Sequence, residues 1–367
     1  MERKWESSAF DRKEKTDLAE PTVDVIIPVY RPDERLPRLL RMLLSQSVRP
    51  ACILLVNTEE KLLDLHLLDG FPITELPDRT FCQQEAATPV HLARGQEHRP
   101  AEDTDGQPEI LLLHIRKEEF DHGGTRHMAA SMLHGDRILF LTQDAVPTNR
   151  YLIERLLAPF GNPQVCAAYA RQLPRQDCKE LERYTRSFNY PPQSRIKTEE
   201  DLQTMGIKAF FCSNVCAMYR RSAYEELGGF ERRTIFNEDM IFAGKLIQAQ
   251  KAIAYCADAE VIHSHNYSGI QQFHRNFDLG VSQAEHPEIF SCVHSESEGV
   301  RLIRKSADYL IRIRKPWLIV SLVWQSCCKY LGYRFGKNYR LLPNALVRRF
   351  SMNKSYWNKG ENSCLTR

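Results

Sequence analysis

The chain has 367 residues, enough for one large α/β domain or two smaller ones around a sizeable core. Hydrophobic residues at 43% and charged residues at 26% are ordinary for a soluble globular protein. The net charge of +3 is unevenly spread: from Arg301 onward 15 Lys and Arg meet only Asp308 and Glu361, so the tail carries +13 and the preceding chain −10.

A basic arm on an acidic body suits an anionic membrane surface or nucleic acid, or it is simply a solvated basic helix. The opening stretch "MERKWESSAFDRKEKTD" lacks the apolar core of a signal peptide. The longest apolar run, Trp317–Trp324, falls well short of the ~20 residues a spanning helix needs. The 11 cysteines form no repeated C-x-x-C framework, and the single Cys212/Cys216 pair lacks partners for a zinc site. These features point to a cytosolic protein with reduced thiols.

After a polar leader (residues 1–20), "VDVIIPVY" (Val23–Tyr30) is a largely β-branched run, the mark of a strand buried on both faces. "LPRLLRMLLSQ" follows with leucines at helical spacing. Next come the strands "CILLVN" and "EILLLHI", the helix "GGTRHMAASML", the strand "RILFLT", the helix "RYLIERLLAPF" and the strand "QVCAAYAR". Strands alternating with helices predict parallel β-α-β units, whose ligand sites lie beyond the strands' carboxyl ends. Three polar clusters sit at such ends: Tyr30–Asp33, Asn57–Glu59 and Thr142–Ala145. Residues 81–107, rich in Gln, Glu, His, Pro and Gly, read as a flexible surface insertion.

Four motifs carry chemistry. In "FNEDMIFAGKLIQAQ", Asn237, Glu238 and Asp239 precede a helical apolar pattern. Such residues cap helix starts; the same dipole would hold a carboxylate ionised and aimed, as a general base for a hydroxyl requires. In "AEVIHSHNYS", His263 and His265 point to one side of an extended segment, able to hold a divalent ion or phosphate oxygens, or to serve as structural histidines. "FDHGGTRHMAA" opens a helix at Gly123–Gly124, with Asp121 before it and Arg126 in its first turn. That is a diphosphate site or a Gly-initiated helix with a solvated Arg. In "LFLTQDAVP", Asp144 stands alone past a strand, as a turn former or a ligand. Neither G-x-G-x-x-G nor G-x-x-x-x-G-K-[ST] occurs, which disfavours dehydrogenase and P-loop readings.

The order of these motifs, from "IIPVYRPDERL" through the Gly/Arg helix start, the strand ending in Asp and "SNVCAMYRRSAYEELGGF" to "NED" and "HSH", resembles the inverting family-2 glycosyltransferases. The resemblance covers about Val23 to Ser268. "FDHGGTRH" and "FLTQDAVPTN" look most like the rhamnosyltransferase branch of bacterial surface-polysaccharide synthesis. It implies a GT-A fold, α/β with a mixed, mostly parallel central sheet flanked by helices, over residues 21–270. A basic helical extension, 271–367, would follow.

The resemblance also implies site residues. Pro28, Tyr30 and Asp33 match the loop that cradles the nucleotide base, and Asn57 replaces an Asp usual beside it. Asp121, Arg126 and Gln143 match nucleotide- and diphosphate-facing positions. Asp239 matches the catalytic base, with Glu238 beside it. Asn214, Gly229 and Phe230 match the segment lining the sugar and acceptor cleft. The family's metal-binding D-x-D aligns with Thr142-Gln143-Asp144, so its first carboxylate is missing. Asp144 with His263, or with His265 in its place, would then hold Mg²⁺ or Mn²⁺ together with donor phosphates.

The implied activity is transfer of a sugar, L-rhamnose from dTDP-L-rhamnose, onto a hydroxyl of a lipid-linked glycan. No nucleic-acid partner is implied. The basic tail would lie on an anionic membrane at its cytoplasmic face, or pack on the body or a second subunit. A UDP-sugar donor and a catalytically inactive glycan-assembly subunit are the alternatives.

Overall fold

The computed structural model describes residues 20–77, 107–291 and 296–358. The expected leader, apart from Glu20, and residues 81–106 of the expected insertion lie outside the described residues.

The β-branched runs form the sheet. Strand β1 (Val23–Val29) leads to helix α1 (Arg35–Leu44), and β2 (Cys52–Thr58) to the short β3 (Ile73–Glu75). Then come β4 (Glu109–Ile115), α2 (His122–Ser131), β5 (Arg137–Leu141), β6 (Val146–Pro147), α3 (Leu152–Leu157) and β7 (Val165–Leu173). The second half continues with α4 (Glu180–Asn189), β8 (Arg195–Lys197), α5 (Leu202–Met205), β9 (Cys216–Arg220), α6 (Arg221–Glu226), α7 (Glu238–Gln248) and β10 (Ala252–Ile262).

The strands form one sheet in the order β3-β4-β2-β1-β5-β9-β7-β10-β6, with β8 also on β10. Neighbours from β3 to β5 are parallel, whereas β9 runs antiparallel between β5 and β7. Consecutive residues feed opposite faces, because side chains alternate along a strand. Val25, Ile27 and Leu139 join α1 and α3 on one side. Ile26, Leu54 and Phe140 meet α2 and α7 on the other. Helices on both faces explain why the strands read as unbroken apolar runs.

The reversal of β9 positions the site. An antiparallel strand begins where its neighbour ends, so the residues just before β9 meet those just after β5: the Thr142 N–H donates to the Val215 carbonyl at 3.1 Å. On the far side, the register of β10 against β7 shifts between Cys256 and Glu260, a bulge that redirects the strand before His263.

Beyond the sheet, α8 (Gly269–Glu285) is followed by α9 (Pro287–Phe290), α10 (Glu296–Arg312), α11 (Leu318–Lys337), α12 (Asn344–Phe350) and α13 (Lys354–Asn358). Helix α8 is part of the body: Phe277 and Val281 pack on Ile235, and the Ser282 hydroxyl donates to the Phe236 carbonyl. Helix α11 lies along α8 at very short range, since a Cβ on Gly332 or Gly336 would collide with the carbonyl of Phe273 or Phe277. Helix α10 docks on α4 through stacked Tyr184 and Tyr309, 4.5 Å between centroids. Lys315, just beyond α10, pairs with Glu180 of α4 at 2.7 Å. The tail thus packs on its own body through one face. Among the described residues no helix is long and apolar enough to cross a membrane.

Candidate active site

The turn after β5 carries the first half of the site. Its Gln143 amide clamps the chain after β1, accepting from the Tyr30 N–H at 2.8 Å and donating to the Tyr30 carbonyl at 2.9 Å. Tyr30 itself is exposed, and the half-buried strand residue Pro28 lies two positions before it. The next residue, Asp144, is 9% exposed and meets three cationic or potentially cationic groups. Arg35 Nη1 lies 3.2 Å from one of its oxygens, His263 Nε2 3.6 Å from the other, and His265 Nε2 3.7 Å from the first. One ligand atom from each of Asp144, His263 and His265 can be chosen so that all three lie within 4.8 Å of one another. Asp33 is bound to the same Arg35, which holds its carboxyl below the usual range.

The protonation of His263 follows from its neighbours. Arg186 donates to the oxygen of the Gln172 amide, because a guanidinium can only donate. That oxygen also lies 3.0 Å from His263 Nδ1, which must therefore carry the hydrogen. Burial, then the Arg186 charge, holds the His263 pKa well below its ordinary value, so Nε2 keeps a bare lone pair. A lone pair facing a carboxylate oxygen at 3.6 Å repels unless a cation sits between them. A divalent ion fits this donor set: one carboxylate, a neutral imidazole oriented from behind by an amide, and a second imidazole whose pKa burial also lowers. Thr142, at the missing first carboxylate, has a buried hydroxyl with no protein partner.

The second half lies at the start of α7. Asn237 adopts a left-handed conformation, φ 65°, and its side chain makes no capping bond. Asn is among the few residues that tolerate this conformation, and the two acids follow it directly. Asp239 is half-buried; its carboxylate accepts from the Asn214 N–H at 3.1 Å and from its neighbour Met240 N–H at 2.8 Å. Burial, reinforced by the adjacent Glu238 charge, raises its pKa to about 7. Asn214 fastens the pair, its amide donating to Glu238 and its oxygen accepting from the buried Tyr219 hydroxyl.

Several expected residues are held by protein partners. Glu238 is buried, 3.2 Å from Arg126 Nη1, and that guanidinium also donates to the His122 carbonyl. Both side chains are buried, and the Arg126 Nε finds no partner among the described residues. Asp121 caps α2 through the Gly123 and Gly124 N–H groups and receives the Thr234 N–H. Asn57 is fully buried against His114 at 3.0 Å. Phe230 lines no cleft: it is 1% exposed, among Phe140, Tyr219, Tyr224 and Phe242. Gly229, at φ +65°, lies against His127 and Tyr224, where any side chain would collide.

Sequence reasoning missed Arg35, Gln172 and Arg186. Only Arg35 left a trace, as the i+2 partner of Asp33 in "RPDER". Gln172 also lines a cavity of about 250 Å³, together with Arg171, Arg183, Tyr184, Tyr190 and Tyr309 among others.

Residues 100–228 match the family model for glycosyl transferase family 2. The O-antigen chain rhamnosyltransferase WbaN of Salmonella anatum is 43% identical over 249 residues, covering 67% of this chain and 79% of that protein. The O-antigen chain rhamnosyltransferase RfbN of Salmonella typhimurium is 42% identical over 251 residues, 68% of this chain and 80% of its own. A solved mannosyltransferase, PcManGT from Pyrobaculum calidifontis in complex with GDP-Man and Mn²⁺, aligns over 96% of this chain and 91% of its own, at 13% identity and a TM-score of 0.48.

Proposed function

The chain belongs to glycosyltransferase family 2, and from that premise we propose that it moves L-rhamnose from dTDP-L-rhamnose onto a hydroxyl of a growing, lipid-linked surface glycan, inverting the anomeric centre. The names of WbaN and RfbN support the sugar and the class of acceptor. The free state of every described cysteine supports a reducing compartment, with the reaction on the cytoplasmic side of a membrane.

The observation that carries the chemistry is Asp239, a carboxylate aimed by two backbone N–H groups with its pKa lifted to about 7. A base so tuned takes a proton from a hydroxyl more readily than an ordinary carboxylate does, yet is ionised near neutrality. Asp239 accepts the acceptor's proton as that oxygen attacks the anomeric carbon. The new C–O bond forms on one face while the bond to the diphosphate breaks on the other, and its electron pair leaves with the nucleoside diphosphate. Glu238 keeps Asp239 basic through its charge and holds Arg126 in place. Asp144, His263 and His265 would hold Mg²⁺ or Mn²⁺, which supplies positive charge for the leaving diphosphate. Tyr30 and Asp33, at the loop that Gln143 clamps, are the residues of the nucleotide side.

The test is Asp239→Asn. General-base catalysis is typically worth ~10²–10⁴-fold, so turnover should fall by about that factor while the donor still binds. Donor binding is read by the thermal shift each nucleotide sugar produces with Mg²⁺ or Mn²⁺. Near-wild-type transfer by the variant would remove Asp239 from the mechanism. A larger shift with UDP-sugars than with dTDP-L-rhamnose would overturn the donor and leave the family standing.

A further inference from the structure

Helix α11 is apolar on both sides. Its buried positions are Leu322, Cys328, Gly332 and Gly336, of which the two glycines sit directly on α8 and Leu322 packs with Leu181 and Leu310. Its exposed apolar positions are Val320, Val323, Trp324, Tyr330, Leu331 and Phe335, with Val320 at 76%; Trp324 and Phe335 also touch α8, at Gly269 and Phe273. Such exposure is not scattered over the molecule. Of the sixteen large apolar side chains exposed among the described residues, thirteen lie beyond residue 299, so the apolar surface is concentrated on the tail. An ordinary surface helix turns its apolar stripe to the core and its polar face to water; here the water side is apolar as well as the buried one.

We propose that this outer face of α11 is a docking surface for an anionic lipid bilayer. Charge selects that occupant. The face lies in the segment that carries +13, with Arg312 and Arg314 exposed before the helix and Arg334 and Arg340 exposed toward and beyond its end. A second copy would bring the same positive segment against itself, whereas anionic headgroups complement it. Trp324 and Tyr330 are residue types that settle at the level of the headgroups. The helix is held along its length by α8, so it lies in the interface and does not enter the bilayer end-on.

The position of the face suits its use. The Trp324 ring lies over Gly269, the first residue of α8, which follows the His263–His265 segment by four residues. One end of the docking face therefore meets the start of α8, four residues along the chain from His265. The inference deepens the reading of the acceptor as lipid-linked, since a surface-bound enzyme meets such an acceptor where it resides.

Flotation of the full-length protein tests it, with vesicles of phosphatidylcholine plus phosphatidylglycerol and with phosphatidylcholine alone. The protein should float with the anionic vesicles and not with the neutral ones. Val320→Glu with Leu331→Glu, both exposed and away from the α8 contact, should weaken vesicle binding by about tenfold or more. Leu65→Glu, an exposed apolar site on the catalytic body, should leave it unchanged. Equal flotation of the double variant and the wild type overturns the proposal, as does indifference to anionic vesicles. A dimer in sedimentation that the same double variant dissolves, without vesicle binding, assigns the face to a second copy instead. Transfer to a water-soluble acceptor separates the two readings. A wild type that floats but transfers nothing sinks the catalytic reading alone, while retained soluble transfer without flotation sinks only the docking.

Discussion

Gln172 makes no hydrogen bond to Glu238 or Asp239, yet its amide oxygen decides which nitrogen of His263 carries a hydrogen. Replacing it by Leu removes that acceptor and frees the ring to tautomerise or turn. Partners of this kind are typically worth ~10–100-fold in metal affinity. Gln172→Leu should therefore weaken Mn²⁺ binding by about that factor, read by titration without donor, while the melting temperature moves little. Unchanged Mn²⁺ affinity would show that His263 needs no orienting group. Asp239 makes a prediction about pH. Its folded-state pKa, about 7, lies above the ordinary 3.8, so the folded protein holds this proton where the unfolded chain has lost it. The stability it contributes is complete below 3.8 and is lost as pH rises through about 7. Asp239→Asn does not titrate, so in melting curves without donor or metal the wild type should lose ground to it over that interval. A gap that does not change with pH would mean that the carboxylate is not desolvated. Asp144, Asp239, His263 and His265 were legible as motifs because each sits in a short run of distinctive residues. Arg35, Gln172 and Arg186 were not, because their roles arise from groups 109, 91 and 14 positions away in the chain.

At the scale of elements, the strands announced themselves because both of their faces are covered, leaving unbroken apolar runs. The same property hid the direction of β9. "CAMYR" is a short apolar run, and nothing in such a run states whether it lies parallel or antiparallel to its neighbours. The reversal nevertheless brings Asn214 and Val215 beside the β5 turn. The tail was legible as apolar and basic, but its alternatives, lying on a membrane or packing on the body, belong to different faces of α11. Its inner face depends on missing side chains: Gly336→Leu would drive a side chain into the Phe277 carbonyl. Overpacking of this kind costs about 1–3 kcal/mol, which denaturant unfolding should report. Gly299→Ala in α10, with nothing within 4 Å of its added carbon, should be neutral or mildly stabilising. Equal effects at both glycines would mean that α8 and α11 do not pack as closely as described.

Across the whole molecule, charge divides as the chain does, −10 before Arg301 and +13 after it. That division was visible in the sequence, and so was a largely parallel α/β sheet, since both depend on composition and on periods of two and 3.6 residues. The order of the motifs was enough to identify family 2, because a fold that gathers separate segments at one place constrains where each falls along the chain. Tertiary structure alone decided how those pieces were used. It closed Arg126 on Glu238, placed Phe230 in the core, and set Arg35 and two imidazoles around Asp144. It also turned an apolar face of α11 to the outside. The reason is physical: sequence states what a side chain prefers, but a buried ion pair, a fixed tautomer or an exposed stripe is a relation between segments, settled only when the sheet brings them within a few ångströms.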